Sequence, residues 1–345
     1  QISIEECTDV QAPQIQEDYE VMTFEECWEE QVLLETLSIK GKTLVCFLSN
    51  LEKQQVLLQT MKMLDSQTKI IFISSGMIYQ KESQQNYSVV KTKRSTYEEA
   101  FQNIVEDHGK VEAVLYLWPL EDRSYIEDYS CIFHMLQTIA STKLKPKRVL
   151  LGAEFENGID RCYLESWIGF ERSIGFVLPN TQVSLIYQEA EGETGVIREW
   201  MMKLWAELQT QKVQSVLYQK GKRYVSQIKP TVVESGKGIV KTGGTYLITG
   251  GLGGLGFLFA EHLAKTQSVN LILNGRSMLS AEKQEKIKAL EALGSQVLYV
   301  QADICDMSGM KEGINRAKER FGSIHGVIHA AGIVGSPNIL EKEYS

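Results

Sequence analysis

Short apolar, β-branched runs alternate with longer amphipathic stretches along most of the chain. The runs at 43–48, 69–74, 112–118, 148–151 and 183–187 are nearly continuous in apolar residues, the pattern of strands buried on both faces of a parallel sheet. Between them, apolar positions recur at helical spacing. One such stretch starts at Ser49-Asn50, either of which can cap a first turn, and others cover 96–106, 125–142, 164–177 and 194–208. This alternation predicts an α/β, doubly wound domain. Lys220-Gly221 closes a predicted hairpin over 218–224. Residues 229–244 break the pattern with Pro230, Gly236, Gly238, Gly243 and Gly244, and a domain boundary is placed there. A second alternation follows: strand 245–249, a glycine loop, helix to about 266, strand 269–274, helix 280–293, strand 296–301, helix 307–321 and strand 324–329. The sequence ends at 345, and a doubly wound nucleotide domain normally has about six strands, so the second segment reads as half a domain, apparently truncated.

Composition narrows the class. A chain of 345 residues has room for two domains, and 43% hydrophobic with 23% charged residues is ordinary for a soluble globular protein. No apolar run has membrane-spanning length and no signal peptide opens the chain, so membrane and secreted readings are disfavoured. The start at Gln1 reads as a fragment cut from something longer. The net charge of −8 is unevenly placed, because residues 1–39 hold eleven acids and neither Lys nor Arg. That stretch reads as a solvated helix or strand face, and nucleic acid is not an expected partner. The six cysteines (Cys7, Cys27, Cys46, Cys131, Cys162 and Cys305) have no metal-knuckle or redox-pair spacing. With five histidines, they suggest a reducing, cytoplasmic protein with buried thiols and no metal.

Four sites carry candidate chemistry. The strongest is the turn Thr249, Gly250, Gly251, Leu252, Gly253, Gly254, Leu255, Gly256, entered by a strand and left by an apolar helix. Gly250 permits a tight turn, Gly254 lets backbone approach a pyrophosphate, and Gly256 lets helix and strand pack closely, with free helix N–H groups facing the phosphate. The second is Asn274, Gly275, Arg276, Ser277 at the next strand end. No acid is present there to hold a ribose 2′-hydroxyl, and the Arg276 fork can pair with a 2′-phosphate, which favours NADP over NAD. The third is Ala302, Asp303, Ile304, where Asp303 can accept from an adenine amino group or cap the helix beginning near Met307. The fourth is His329, Ala330, Ala331, Gly332, small residues against which a cofactor ribose can lie, with His329 positional. The first segment differs at the corresponding turn, Leu48-Ser-Asn-Leu51, which has no glycine, so no dinucleotide is expected there. Ser74-Ser75 followed by Tyr87-Ser-Val-Val-Lys91 mimics a Ser…Tyr-x-x-x-Lys pair, but it precedes the glycine loop and reads as a solvated basic loop.

Together these features resemble the short-chain dehydrogenase/reductase superfamily, and within it the ketoreductase domain of a modular, trans-acyltransferase-like bacterial polyketide synthase. The glycine loop, Gly275-Arg-Ser277 and His329-Ala-Ala-Gly332 carry the resemblance, as does Ser166-Trp-Ile-Gly-Phe-Glu-Arg-Ser-Ile-Gly175 in the leading segment. The resemblance implies two Rossmann-like doubly wound subdomains. Residues 1–235 would be a degenerate structural subdomain without cofactor, and 236–345 the N-terminal part of a catalytic NADPH-binding subdomain. It also implies NADPH-dependent reduction of a β-keto group on a chain held by phosphopantetheine on an acyl carrier protein, among neighbouring synthase domains. The family's Ser, Tyr, Lys and Asn lie further past the His-Ala-Ala-Gly motif than Ser345, so no catalytic residue is assigned, and Tyr344-Ser345 reads as the start of a helix. Ile333-Val-Gly-Ser336 stands where one stereochemical class carries Leu-Asp-Asp, a lean toward the A-type product. Carrier proteins are typically acidic, and the 12 basic and 10 acidic residues of 236–345 permit docking. The rival readings are a non-catalytic structural or interaction module, and a related reductase of fatty-acid synthesis or of α-keto substrates.

Overall fold

The computed structural model describes residues 22–33, 39–190, 197–211, 214–232, 239–332 and 339. Contacts divide the chain into two compact units, Gln1–Val233 with Asn338–Ser345, and Glu234–Pro337. This partition differs from the expected 236–345 at the end of the chain, where the Ile339 carbonyl accepts from Gln137 Nε2 at 2.7 Å within the first unit. The acids of 1–21, the thiol of Cys7, the helix start at 194, Gly236, Gly238, 333–336 and Tyr344-Ser345 lie outside the described residues.

The first unit runs β1 (Thr23–Glu30), β2 (Thr43–Phe47), α1 (Leu51–Leu64), β3 (Lys69–Ser75), β4 (Gln80–Lys81), β5 (Asn86–Val89), α2 (Arg94–His108), β6 (Ala113–Tyr116), α3 (Ser124–Glu127), α4 (Ser130–Ser141), β7 (Arg148–Phe155), α5 (Gly158–Ser166), α6 (Ile168–Ser173), β8 (Gln182–Glu189), α7 (Ile197–Leu208), β9 (Val216–Gln219) and β10 (Lys222–Thr231). Ten strands form one sheet in the order β1-β10-β9-β8-β7-β6-β2-β3-β5-β4, parallel from β5 to β9. Its central parallel strands β2, β3, β6, β7 and β8 are mainly apolar because both faces are covered. Val45 and Phe47 pack on one side with residues of α2 and α4, and Leu44 and Cys46 on the other with residues of α1 and α7.

Three details depart from the sequence reading, and the acidic stretch, read as a solvated helix or strand face, is a strand over 23–30. The acidic 23–30 stretch is β1, an edge strand antiparallel to β10, where Glu29 pairs with Lys229 and Glu30 with Lys222. The helix expected over 125–142 is broken into α3 and α4, because Asp128 Oδ1 takes the Ser130 N–H at 3.0 Å and offers the backbone a local alternative. The helix expected from 164 begins earlier, where the Asn157 side chain accepts from the N–H groups of Ile159 and Asp160, and it splits into α5 and α6. Cys162 and Cys305 are exposed, so the expectation of buried thiols holds for Cys46 and Cys131 but not for these two.

The Tyr87 neighbourhood is ordered sheet, not a loop. Tyr87 lies in β5 and is 1% exposed. Its hydroxyl donates to Asp107 at 2.7 Å, and Lys81 pairs with the same carboxylate at 2.6 Å. Burial, reinforced by Asp107, pushes the phenol further above its ordinary range, the wrong direction for a proton donor. Ser74 is in register with Ser88, so it faces away from Tyr87 across the sheet.

The second unit runs β11 (Thr245–Thr249), α8 (Gly254–Thr266), β12 (Asn270–Gly275), α9 (Ala281–Ala292), β13 (Gln296–Gln301), α10 (Met307–Phe321) and β14 (Gly326–His329). All four strands are parallel, in the order β13-β12-β11-β14. Residues of α8 and α9 pack on one face, with Tyr246, Ile248, Leu271 and Leu273, and residues of α10 on the other, with Leu247 and Ile272. The fold is α/β with Rossmann-like parallel sheets.

Candidate functional site

In an open parallel sheet, ligands bind beyond the carboxyl ends of the strands where the strand order reverses. In the second unit the reversal falls between β11 and β14. All four candidate segments leave the carboxyl ends of this sheet: 249–256 from β11, 274–277 from β12, 302–304 from β13 and 329–332 from β14. Parallel pairing alone places them along one edge.

The glycine loop is closed by its own contacts. Gly250 has φ +63°, and a Cβ there would stand 2.9 Å from the Ala330 oxygen and 3.0 Å from the Ala331 nitrogen. Gly251 donates to the Asn274 carbonyl at 3.1 Å, tying the loop to β12. A Cβ on Gly256 would press into the Gly250 carbonyl, so the first turn of α8 lies directly on the loop. Gly254 is different: a Cβ there meets nothing within 4 Å. The cap residue of α8, Gly253, makes no side-chain capping bond, and the first helical N–H bond runs from Phe257 to Gly253 at 2.9 Å. The N–H groups of Gly254, Leu255 and Gly256, at the positive end of the helix, have no acceptor among the described residues. In the same unit, α9 and α10 are capped by Ser280 and Asp306.

The first unit handles the same position in the opposite way. After β2, Ser49 and Asn50 donate their N–H groups to the Glu121 carboxylate at 2.8 and 2.6 Å, and Asn50 Oδ1 accepts from Lys53 N–H at 3.0 Å. The amino end of α1 is thus filled by an anion from the chain itself, which the missing glycines did not reveal.

The other expected residues have mixed placements. Thr249 is 3% exposed, and its hydroxyl lies 2.7 Å from His329 Nδ1 and accepts from Ala331 N–H at 3.3 Å. Through this contact Thr249 and His329 link the carboxyl ends of β11 and β14. Asn274 is also buried, and its amide donates to the carbonyls of Val300 at 3.3 Å and Ala302 at 2.9 Å. Its side chain is committed to the sheet, not presented to a ribose. Arg276 is exposed and has no side-chain partner among the described residues. Ala302 is buried, whereas Ile304 is 38% exposed. Asp303 is not the cap of α10: its Oδ1 accepts from Cys305 N–H at 2.9 Å, while Asp306 accepts from Ser308 N–H at 3.1 Å. Hydrogen bonding from Ser308 holds the Asp306 carboxyl below the usual carboxylate range.

Sequence reasoning missed Tyr299. Its hydroxyl donates to the Ser277 carbonyl at 2.6 Å, and it fits only because residue 275 is glycine, where a Cβ would stand 2.7 Å from that hydroxyl. Among the described residues, no group of His, Cys, Asp and Glu is placed to hold a metal ion, and no helix is long and apolar enough to cross a membrane.

Comparison with known proteins agrees with this geometry. Residues 244–345 match the KR domain family. Polyketide synthase PksM of Bacillus subtilis (strain 168) is 49% identical over 342 residues, covering 99% of this chain and 8% of that protein. The chain therefore spans a small part of this curated relative. Among solved structures, an N-terminal ketoreductase from the macrolactin assembly line superposes with a TM-score of 0.74 at 25% identity, covering 93% of this chain and 67% of that one. The adenylation–ketoreductase structure of a keto acid-selecting NRPS module has a TM-score of 0.71 at 20% identity, covering 94% of this chain and 29% of that one. The chain is similar over its length to part of a polyketide synthase and in fold to ketoreductases of such assembly lines, and its residues 244–345 match the KR domain family.

Proposed function

We propose that the chain belongs to a cytoplasmic, NADPH-dependent ketoreductase that reduces a β-keto group on an acyl chain carried by an acyl carrier protein within a synthase. The observation that carries this reading is the start of α8, with no side-chain cap and open space beside Gly254, on the same sheet edge as Arg276, which has no side-chain partner among the described residues. A pyrophosphate fits the former and a 2′-phosphate the latter. Gly250, Gly251 and Gly256 shape the loop, Arg276 and Ser277 face the adenosine end, and Ala330 and Ala331 give a side-chain-poor surface for a ribose. When bound, NADPH supplies the hydride. No residue of this chain is assigned the proton donor. The first unit is proposed as structural, its corresponding helix start being occupied by Glu121.

The test is fluorescence titration with NADPH and NADH. NADPH should bind in preference to NADH. Gly254→Val should abolish binding while circular dichroism stays unchanged, since the added side chain meets no protein atom near its Cβ. Arg276→Ala should cost about 1.5–3 kcal/mol for NADPH, the worth of a hydrogen bond to charge, and spare NADH. A wild-type chain that binds neither nucleotide would favour the non-catalytic module.

A further inference from the structure

We propose that Lys283 is a second cation of the 2′-phosphate subsite, completing it with Arg276 and the Ser277 hydroxyl. The proposal rests on the reading that residues 276–277 receive the 2′-phosphate of NADPH.

Lys283 sits in the first turn of α9, three residues after the cap Ser280, whose hydroxyl accepts from its N–H. A cation at the positive end of a helix is unfavourable for the helix itself. The ammonium turns back off the helix and donates to Ser277 Oγ. The carboxylate next to it in sequence, Glu282, is engaged by Lys286 at 2.9 Å. Lys283 makes no ion pair of its own among the described residues.

The loop that receives it is held firmly. Tyr299 fixes the Ser277 carbonyl from below, and Gly275 admits the Tyr299 ring. The adjacent Arg276 is exposed and unpaired among the described residues. The strand end therefore offers a planar guanidinium, a hydroxyl and an ammonium point charge around one short loop. That set matches a dianionic phosphate monoester, in which the guanidinium binds two oxygens and the ammonium neutralises the remaining charge.

Lys283→Gln, Lys283→Ala and Lys283→Arg in the full chain separate charge from tethering, because glutamine keeps a donor for Ser277 without the charge. Dissociation constants would be measured for NADPH and NADH, and for 2′,5′-ADP and AMP as probes of the adenosine end. The expected result is a roughly tenfold or greater loss for NADPH and 2′,5′-ADP in Lys283→Gln and Lys283→Ala, the scale of one hydrogen bond to charge. NADH and AMP should be unaffected, the melting temperature unchanged and affinity recovered in Lys283→Arg. NADPH affinity retained by Lys283→Gln, or equal losses for NADPH and NADH, would overturn the proposal and leave Lys283 a loop tether. If Arg276→Ala also fails to discriminate NADPH from NADH, the 2′-phosphate reading itself is what fails.

Discussion

Single atoms decide what each glycine of the 249–256 loop tolerates. Gly256 lies on the Gly250 carbonyl, whereas Gly254 faces open space. Gly256→Ala should therefore destabilise the second unit by about 1–3 kcal/mol through overpacking, visible as a lower unfolding midpoint in urea. Gly254→Ala should leave that midpoint within about 0.5 kcal/mol of wild type apart from a small helix-propensity gain. The two substitutions are chemically identical and are separated only by what lies beyond the Cβ. The glycine spacing made the loop legible in the sequence, but not which glycine faces protein and which faces solvent. Asn274 shows the same limit. Its place at a strand end suggested a ligand group, and only the positions of the Val300 and Ala302 carbonyls show that its amide is already engaged.

At the scale of elements, helix starts distinguish the two units. The α1 start is closed by Glu121, which arrives from more than seventy residues away in sequence. Glu121→Ala removes a carboxylate that accepts two N–H groups, and should cost the first unit about 1.5–3 kcal/mol, measured by denaturant unfolding. An unchanged midpoint would mean that water replaces the carboxylate at no cost. The α10 start depends on Asp306, whose carboxyl is lowered first by Ser308. A lowered carboxyl contributes its full stabilisation above the unfolded value of about 3.9 and loses it as pH falls through the folded value. Hydrogen exchange of α10 amides should thus show protection falling as pH drops below about 4, and Asp306→Asn, which caps without titrating, should flatten that fall. No position in the sequence marked Glu121 for this role, because the contact is long-range. Asp306 was overlooked in favour of Asp303 because two acids three apart both precede the same helix.

Across the whole molecule, the first unit carries a ten-stranded sheet whose antiparallel end, β9-β10-β1, extends a parallel body. The join is braced by Glu207 of α7, whose side chain has no exposure. It accepts from Arg223 Nε at 2.7 Å and Nη2 at 2.9 Å, and from the Tyr218 hydroxyl at 2.7 Å. Glu207→Ala strands a largely buried guanidinium and should destabilise the unit by about 3–5 kcal/mol, read by calorimetry. The outer strand β1 is acidic and β10 basic along their shared length, so cross-strand pairs hold a strand that apolar burial alone would not retain. Its charged outer edge also discourages further strand addition.

The sequence by itself determined the α/β class, the order of the main strands and helices, and the position of the glycine loop. Each of these follows from local information: apolar runs of strand length, helical periodicity, and the glycines that permit a left-handed turn such as that at Gly250. Tertiary structure alone decided that the acidic 23–30 stretch is a strand, that Tyr87 is a core phenol bound to Asp107, and that Glu121 fills one helix start while the other stays open. Those outcomes depend on partners distant in sequence, and a polar side chain carries no local mark of which partner the fold will bring to it.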